Sequence, residues 1–251
     1  MTEAVDNKPI RRNGFTFKQF FVAHDRCAMK VGTDGVLLGA WSPLHPQISR
    51  ILDIGTGTGL VALMLAQRSQ HSSVAVKVDA VELEISAASQ AEENFAESPW
   101  ANRLSIFSQD INDFAARAAY RYELIVSNPP YFESAVACRD EARNAARYTE
   151  TLSHQALLDC AGKLLAADGL FCVVLPYTIG LAFEQMAQQQ GWSTHSRMDI
   201  RDRPEKPLNR MLLALAKHSV EPEFQTLALR EQLNVYSAEF KGLITDFYLN
   251  Y

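Results

Sequence analysis

From residue 51 onward, short runs of consecutive apolar residues alternate with longer stretches whose apolar positions recur three and four residues apart. The first kind of run predicts a strand buried on both faces, and the second predicts a helix with one apolar stripe. Thus "RILDI" reads as a strand, "GLVALMLAQRS" as a helix, "VKVDAVEL" as a strand and "ISAASQAEENFAE" as a helix. "LSIFSQ" and "YELIVS" read as two more strands. A helix over roughly 152–166, the strand "LFCVVLP", a helix over roughly 178–190 and β-like runs near 192–200 and 210–217 complete the series. The alternation predicts an α/β, Rossmann-like fold, a seven-stranded, mostly parallel sheet with helices on both faces. The last pair of runs, joined through "RPEKPLN", reads as an antiparallel hairpin at one edge.

Residues 1–50 precede the first α/β unit and read as an N-terminal extension packed on a catalytic domain at 51–251. Its aromatics Phe15, Phe17, Phe20 and Phe21 are expected to pack in the core beneath a lid, with base stacking as the alternative. Near the other end, Phe240, Leu243, Ile244 and Phe247 in "YSAEFKGLITDFYL" have helical spacing and predict a helix docked on the body. Among 251 residues, 47% hydrophobic and 21% charged suits one large domain. No run of eighteen apolar residues occurs and the start is polar, so neither a membrane span nor a signal peptide is expected. Cys27, Cys138, Cys160 and Cys172 are scattered, which predicts free thiols in a reducing cytoplasm. The six histidines lack ligand spacing, so no metal is expected.

The first chemical signal is "ILDIGTGTGL" at 51–60, in which a strand runs into Asp53, then Gly55, Gly57 and Gly59, then a helix. Glycines there let a ligand approach the backbone without meeting a Cβ. A dinucleotide loop needs G-x-G-x-x-G, and Leu60 stands where its third glycine belongs. Glu82 ends the second strand, where a carboxylate can accept both hydroxyl hydrogens of a ribose. The second signal is "SNPPY" at 127–131, after the strand "YELIVS". Pro129 biases Asn128 away from the helical region, and two prolines stiffen the tip and leave carbonyls free of ladder bonds. The Asn128 oxygen and the Pro129 carbonyl could together bind both N–H groups of an exocyclic amine, with Pro130 holding the turn and Tyr131 stacking on its ring. Alignment and fixed dipoles would supply most of the rate, with no strong base.

The glycine loop with an acid two residues before it resembles the first motif of class I S-adenosylmethionine-dependent methyltransferases. That resemblance implies S-adenosyl-L-methionine as cofactor, with Asp110 taking a hydrogen bond from the adenine amine and Ile111 against the ring. The N-P-P-Y tetrapeptide resembles that of amine methyltransferases, which act on adenine N6, cytosine N4, guanine N2 or a glutamine amide. "FKQFFVAHDRCAMKVGTDGVLLGAW" (17–41), "SNPPYF" and "YSAEFKGLITDFYL" are similar to the bacterial valine-tRNA (adenine-37-N6)-methyltransferase family, over essentially the whole chain. By that resemblance, Thr33, Asp34 and Gly35 close over the methionine end of the cofactor, and the acceptor is an anticodon-loop adenine. The same chemistry on guanine N2 of ribosomal RNA or on a glutamine amide stays open. So do a nicotinamide-dependent oxidoreductase and a non-catalytic RNA-binding module.

The net charge of −5 does not advertise a nucleic-acid binder, but its distribution is uneven. Residues 8–30 hold six basic residues against Asp25, and Arg139, Arg143 and Arg147 fall at helical spacing. Arg11, Arg12, Lys18, Arg26, Lys30 and those three arginines are therefore candidates for contact with a tRNA. The cluster "RMDIRDRPEKPLNR" at 197–210 is mixed in sign. No large separate recognition domain is expected, which fits a compact RNA selected by shape. Oligomeric state stays open, with a monomer compatible.

Overall fold

The computed structural model describes residues 13–27, 29–130 and 152–249. Arg11, Arg12, Tyr131, Arg139, Arg143 and Arg147 lie outside the described residues. Strands β1 (Gly14–Thr16) and β2 (Phe21–Ala23) pair antiparallel ahead of α1 (Thr33–Trp41). The alternating series follows as β3 (Arg50–Ile54), α2 (Leu60–Arg68), β4 (Lys77–Glu82), α3 (Ile85–Ala96), β5 (Leu104–Ser108), α4 (Ile111–Arg117) and β6 (Tyr122–Ser127). It continues as α5 (His154–Leu164), β7 (Leu165–Pro176), α6 (Tyr177–Gln189), β8 (Ser193–Arg201), β9 (Leu208–Ala216) and β10 (Glu223–Ala228). A small hairpin, β11 (Arg230–Gln232) with β12 (Val235–Tyr236), leads into α7 (Ala238–Ile244).

The main sheet runs in the order β10-β8-β9-β7-β6-β3-β4-β5. Strands β3 to β7 pair in parallel, while β9 is antiparallel to both β7 and β8. The sheet thus has eight strands rather than the predicted seven, and the β8–β9 hairpin does not end it. β10 pairs in parallel with β8 and takes the edge. Its first four residues are exposed, so no apolar run marks it in the sequence.

Each central strand divides its side chains between two cores, as a period of two requires. Ile51, Leu124, Val126, Cys172, Val174, Leu212 and Ala214 face one core, built with α1, α2, α3 and α7. Leu52, Ile54, Ile125, Phe171, Val173, Leu175, Met211 and Leu213 face the other, built with α4, α5 and α6. The N-terminal residues join the first core. Phe17 and Phe20 are buried there, stacked at 4.6 Å, and Phe20 meets Trp100 edge-on at 5.7 Å. Those rings are core, and base stacking is not their role. The C-terminal segment docks as its spacing predicts: Ser237 caps α7 by accepting the Phe240 N–H at 3.1 Å, and Phe240, Ile244 and Phe247 are buried. Its Phe247 carbonyl accepts the Lys18 N–H at 2.7 Å, tying the two chain regions together.

The topology fixes where a ligand can sit. After β3 the chain moves outward through β4 to β5, then returns to place β6 on the other side of β3. Strand order reverses between β3 and β6, and the crevice beyond their carboxyl ends is the ligand position of such sheets. The glycine loop follows β3, and Asn128 follows β6.

Candidate cofactor and catalytic site

The loop after β3 is held in shape by buried acids. Asp53 is 1% exposed, and its Oδ2 accepts the Thr56 hydroxyl at 2.6 Å and the Ala62 N–H at 3.2 Å. Burial pushes its carboxyl up to about 7, against the pull of those two hydrogen bonds, with Glu82 adding to the rise. Asp53 therefore braces the loop onto α2. Glu82, at the end of β4, accepts the Gly57 N–H at 2.9 Å on Oε2 and the Glu84 N–H at 2.9 Å on Oε1. Burial raises its carboxyl above the usual range, opposed by backbone N–H groups of Glu84, Gly57 and Leu83. Three backbone N–H groups occupy three of its roughly four acceptor positions, which leaves capacity for a ribose hydroxyl.

Gly55, Gly57 and Gly59 all have positive φ. A Cβ on Gly57 would meet nothing within 4 Å, whereas one on Gly59 would lie 2.5 Å from Cε1 of Phe95. Gly57 borders open space and Gly59 a packed ring. A further clamp, not read from the sequence, is Asn94 on α3, which is 1% exposed. Its amide donates to the carbonyls of Thr58 (2.8 Å) and Ala23 (2.9 Å), and its oxygen accepts the Ala23 N–H at 3.0 Å. One side chain thereby joins β2 to the glycine loop. The signal was an amide on the buried face of α3, which it shares with Gln90, and its partners lie too far off in sequence to be guessed.

Asp110 caps α4, with Oδ1 accepting the Asn112 N–H at 2.7 Å and the Asn112 side-chain amide at 2.8 Å. Its Oδ2 has no partner among the described residues, and Ile111 beside it is buried. At the start of α1, Asp34 pairs with Arg210 of β9 at 2.9 Å, and Gly35 is buried, its missing Cβ 3.9 Å from Nδ2 of Asn128. Arg210 is a second residue that the sequence reading did not single out.

Beyond β6, Ser127 donates to the Ile54 carbonyl at 2.9 Å and locks the two strand ends flanking the crevice. Asn128 follows, with Pro129 buried behind it. The Asn128 Oδ1 is shielded from solvent and has no hydrogen-bond partner among the described residues. An orphaned buried acceptor costs about 1–3 kcal/mol, a cost that a ligand N–H would relieve. The Asn128 Nδ2 lies 3.8 Å from the sulfur of Met29. Cys27, on the same N-terminal segment, is held as a thiol, because burial and the nearby Glu82 and Glu84 carboxylates push it up to about 12.

These features fit S-adenosyl-L-methionine. The open side of the Gly55–Gly57 loop, the Glu82 carboxylate, the second oxygen of Asp110 and the Asn128 oxygen follow the carboxyl ends of β3, β4, β5 and β6, on the crevice side of the sheet. Of the candidate RNA contacts, Lys18 donates to the Thr245 carbonyl at 2.6 Å, and Arg26 is paired with Glu93. Lys30 is exposed. Among the described residues no group of three or more His, Cys, Asp or Glu side chains could hold a metal ion. No helix there is long and apolar enough to cross a membrane.

Comparison with known proteins agrees with this geometry. The family model of the methyltransferase small domain matches residues 35–189. A Yersinia pestis (strain Pestoides F) protein named tRNA1(Val) (adenine(37)-N6)-methyltransferase is 60% identical over 253 residues, covering 100% of both chains. A Yersinia pseudotuberculosis serotype IB (strain PB1/+) protein of the same name is 60% identical over 99% of this chain and 98% of its own. In fold, the chain resembles a crystal structure from Agrobacterium tumefaciens described as a predicted O-methyltransferase, with a TM-score of 0.64 at 16% identity, covering 85% of this chain and 96% of that one. The chain belongs to the methyltransferase small domain family and, with its full-length relatives, to the tRNA1(Val) (adenine(37)-N6)-methyltransferase family.

Proposed function

We propose that this protein transfers the methyl group of S-adenosyl-L-methionine to N6 of adenine 37 in the anticodon loop of a valine tRNA. The observation that carries the reading is the buried Asn128 oxygen, without a partner among the described residues, at the end of β6 and across the strand-order switch from the glycine loop. When bound, the cofactor supplies an electrophilic methyl group on a sulfonium. The residues of this chain do the rest. Glu82 holds the ribose hydroxyls, Asp110 and Ile111 take the adenine end, and Thr33, Asp34 and Gly35 close over the methionine end. Asp53 serves indirectly by fixing the loop that Gly55, Gly57 and Gly59 shape.

Adenine N6 is a weak nucleophile because its lone pair is delocalised into the ring. The Asn128 oxygen and the Pro129 carbonyl accept its two hydrogens, draw the nitrogen toward tetrahedral geometry and aim the lone pair at the methyl group. Such aligned, fixed dipoles are worth about 10²–10³ in rate for a single donor or acceptor. The proton leaves after transfer, so no nucleophilic thiol is called for, and Cys27 remains protonated. Tyr131 stacks on the base. An anticodon-loop base has no Watson–Crick partner, so turning it into the crevice costs less than extracting one from a duplex. Lys30, together with Arg11, Arg12, Arg139, Arg143 and Arg147, supplies phosphate contacts, while Lys18 and Arg26 act mainly through their internal partners. With tRNA as substrate the protein works in the cytoplasm.

The test is digestion of tRNA to nucleosides after incubation with the protein and methyl-labelled cofactor. The label should appear as N6-methyladenosine in valine tRNA. Label in guanine of ribosomal RNA or in a protein glutamine would assign another acceptor. Binding of NAD without binding of S-adenosylhomocysteine would overturn the reading.

A further inference from the structure

A carboxamide can sit in two orientations related by a half-turn, and only one of them suits amine activation. With Oδ1 toward the amine, Asn128 accepts an N–H; turned over, it would present its own N–H₂ and repel the substrate. Neither Pro129 nor Pro130 has an N–H that could hold the oxygen in place. Among the described residues Asn128 has a single polar contact, from Nδ2 to the sulfur of Met29 at 3.8 Å. Its Oδ1 has none. A thioether accepts hydrogen bonds and cannot donate one. It can therefore pair with Nδ2–H and not with Oδ1, and so it favours the orientation that leaves the oxygen available.

Among the described residues Met29 belongs to neither hydrophobic core. It is 50% exposed, so it contributes little to any core. The segment that carries it is anchored on both sides. The Val31 N–H meets Nδ1 of His24 at 3.4 Å, the Arg26 N–H meets the Gln90 oxygen at 3.2 Å, and Ser86 donates to the Arg26 carbonyl at 3.2 Å. The Arg26 side chain adds its pair with Glu93. A half-exposed methionine is thus delivered to one amide by a loop that stands on α3 at Arg26 and is closed on itself by the Val31–His24 contact. Gly35 also borders that amide, and a Cβ there would lie 3.9 Å from Nδ2.

We propose that Met29 is a positioning residue: its sulfur sets the orientation of the Asn128 carboxamide so that the oxygen faces the acceptor amine. The inference rests on the reading of Asn128 as the amine acceptor. Its effect falls on the fraction of protein ready to bind the base, because a protein with the amide reversed must turn it back first.

Met29→Leu conserves volume and removes the acceptor, so folding is spared. The experiment compares wild type and Met29→Leu for melting temperature, S-adenosylhomocysteine affinity and methyl transfer to valine tRNA. Met29→Leu should lower kcat/KM for tRNA about three- to tenfold while leaving melting temperature and cofactor affinity unchanged. An unchanged kcat/KM in Met29→Leu, or an equal loss of cofactor affinity, would overturn the proposal. Absence of N6-methyladenosine with the wild type would instead refute the proposed function itself, which keeps the two failures apart.

Discussion

Two glycines in one loop should respond to the same substitution in opposite ways. Gly57 and Gly59 have φ of +56° and +82°, so alanine at either is strained in the left-handed region, at a cost of about 1 kcal/mol or somewhat more. At Gly57 that is the whole cost to the ligand-free protein, since nothing stands within 4 Å of the added carbon. At Gly59 the methyl would lie 2.5 Å from Phe95, whose ring is buried in the core. Moving that ring adds overpacking of about 1–3 kcal/mol, for a total near 2–4 kcal/mol. In a chain of this size each kcal/mol shifts the melting temperature by roughly 2–4 °C. Gly57→Ala should therefore melt only a few degrees below wild type, and Gly59→Ala roughly 5–15 °C below. Cofactor affinity should invert the order in its own way. The Gly57 methyl stands in the open side of the loop, so titration calorimetry with S-adenosylhomocysteine should show at least a tenfold loss there, out of proportion to the small loss of stability. If Gly57→Ala bound the ligand as tightly as wild type, the loop would not be the cofactor cradle. If Gly59→Ala melted with wild type, the packing reasoning would be wrong.

Asp53 makes a pH prediction. An acid whose folded pKa is raised holds its proton more tightly folded than unfolded, so its contribution is complete below the ordinary value of 3.8 and is lost as pH rises through about 7. With the carboxyl pushed by burial from 3.8 up to about 7, that contribution is on the order of 4 kcal/mol at most. Asp53→Asn keeps an acceptor for Thr56 and Ala62, so its ligand-free melting temperature should gain on wild type as pH rises from 4 to 8; parallel melting curves across that range would refute the buried-charge account. Asn94→Ala removes three hydrogen bonds and leaves buried backbone groups at Ala23 and Thr58 unpaired, which should cost about 2–4 kcal/mol in urea denaturation and weaken S-adenosylhomocysteine binding. Lost stability with unaltered affinity would show that the clamp does not shape the loop.

The central α/β series was legible because its strands are apolar on both faces and its helices carry a stripe. The sheet edge was not. β10 is "EFQTLA", exposed along most of its length, and a strand lying on the rim needs no apolar run. The short helix α4 escaped notice for want of length, although its cap, Asp110, stood out for another reason. In the site, the glycine loop and the Asn-Pro-Pro tip are local motifs and read directly. What holds them is nonlocal. Asn94 and Ala23 are 71 residues apart, Met29 and Asn128 are 99 apart, and Asp34 and Arg210 are 176 apart. Single-sequence patterns carry no such pairings. The same limit applies to charge: Lys18 and Arg26 look available in the sequence, and their partners Thr245 and Glu93 appear only once the chain is folded.

The account stands on one oxygen atom, Oδ1 of Asn128. Single-turnover methyl transfer to valine tRNA, measured beside S-adenosylhomocysteine affinity for Asn128→Ala, tests it most directly. The rate should fall by about 10²–10³ while affinity stays within a few-fold of wild type. A rate within tenfold of wild type, or a collapse of cofactor binding, would contradict the role given to that side chain.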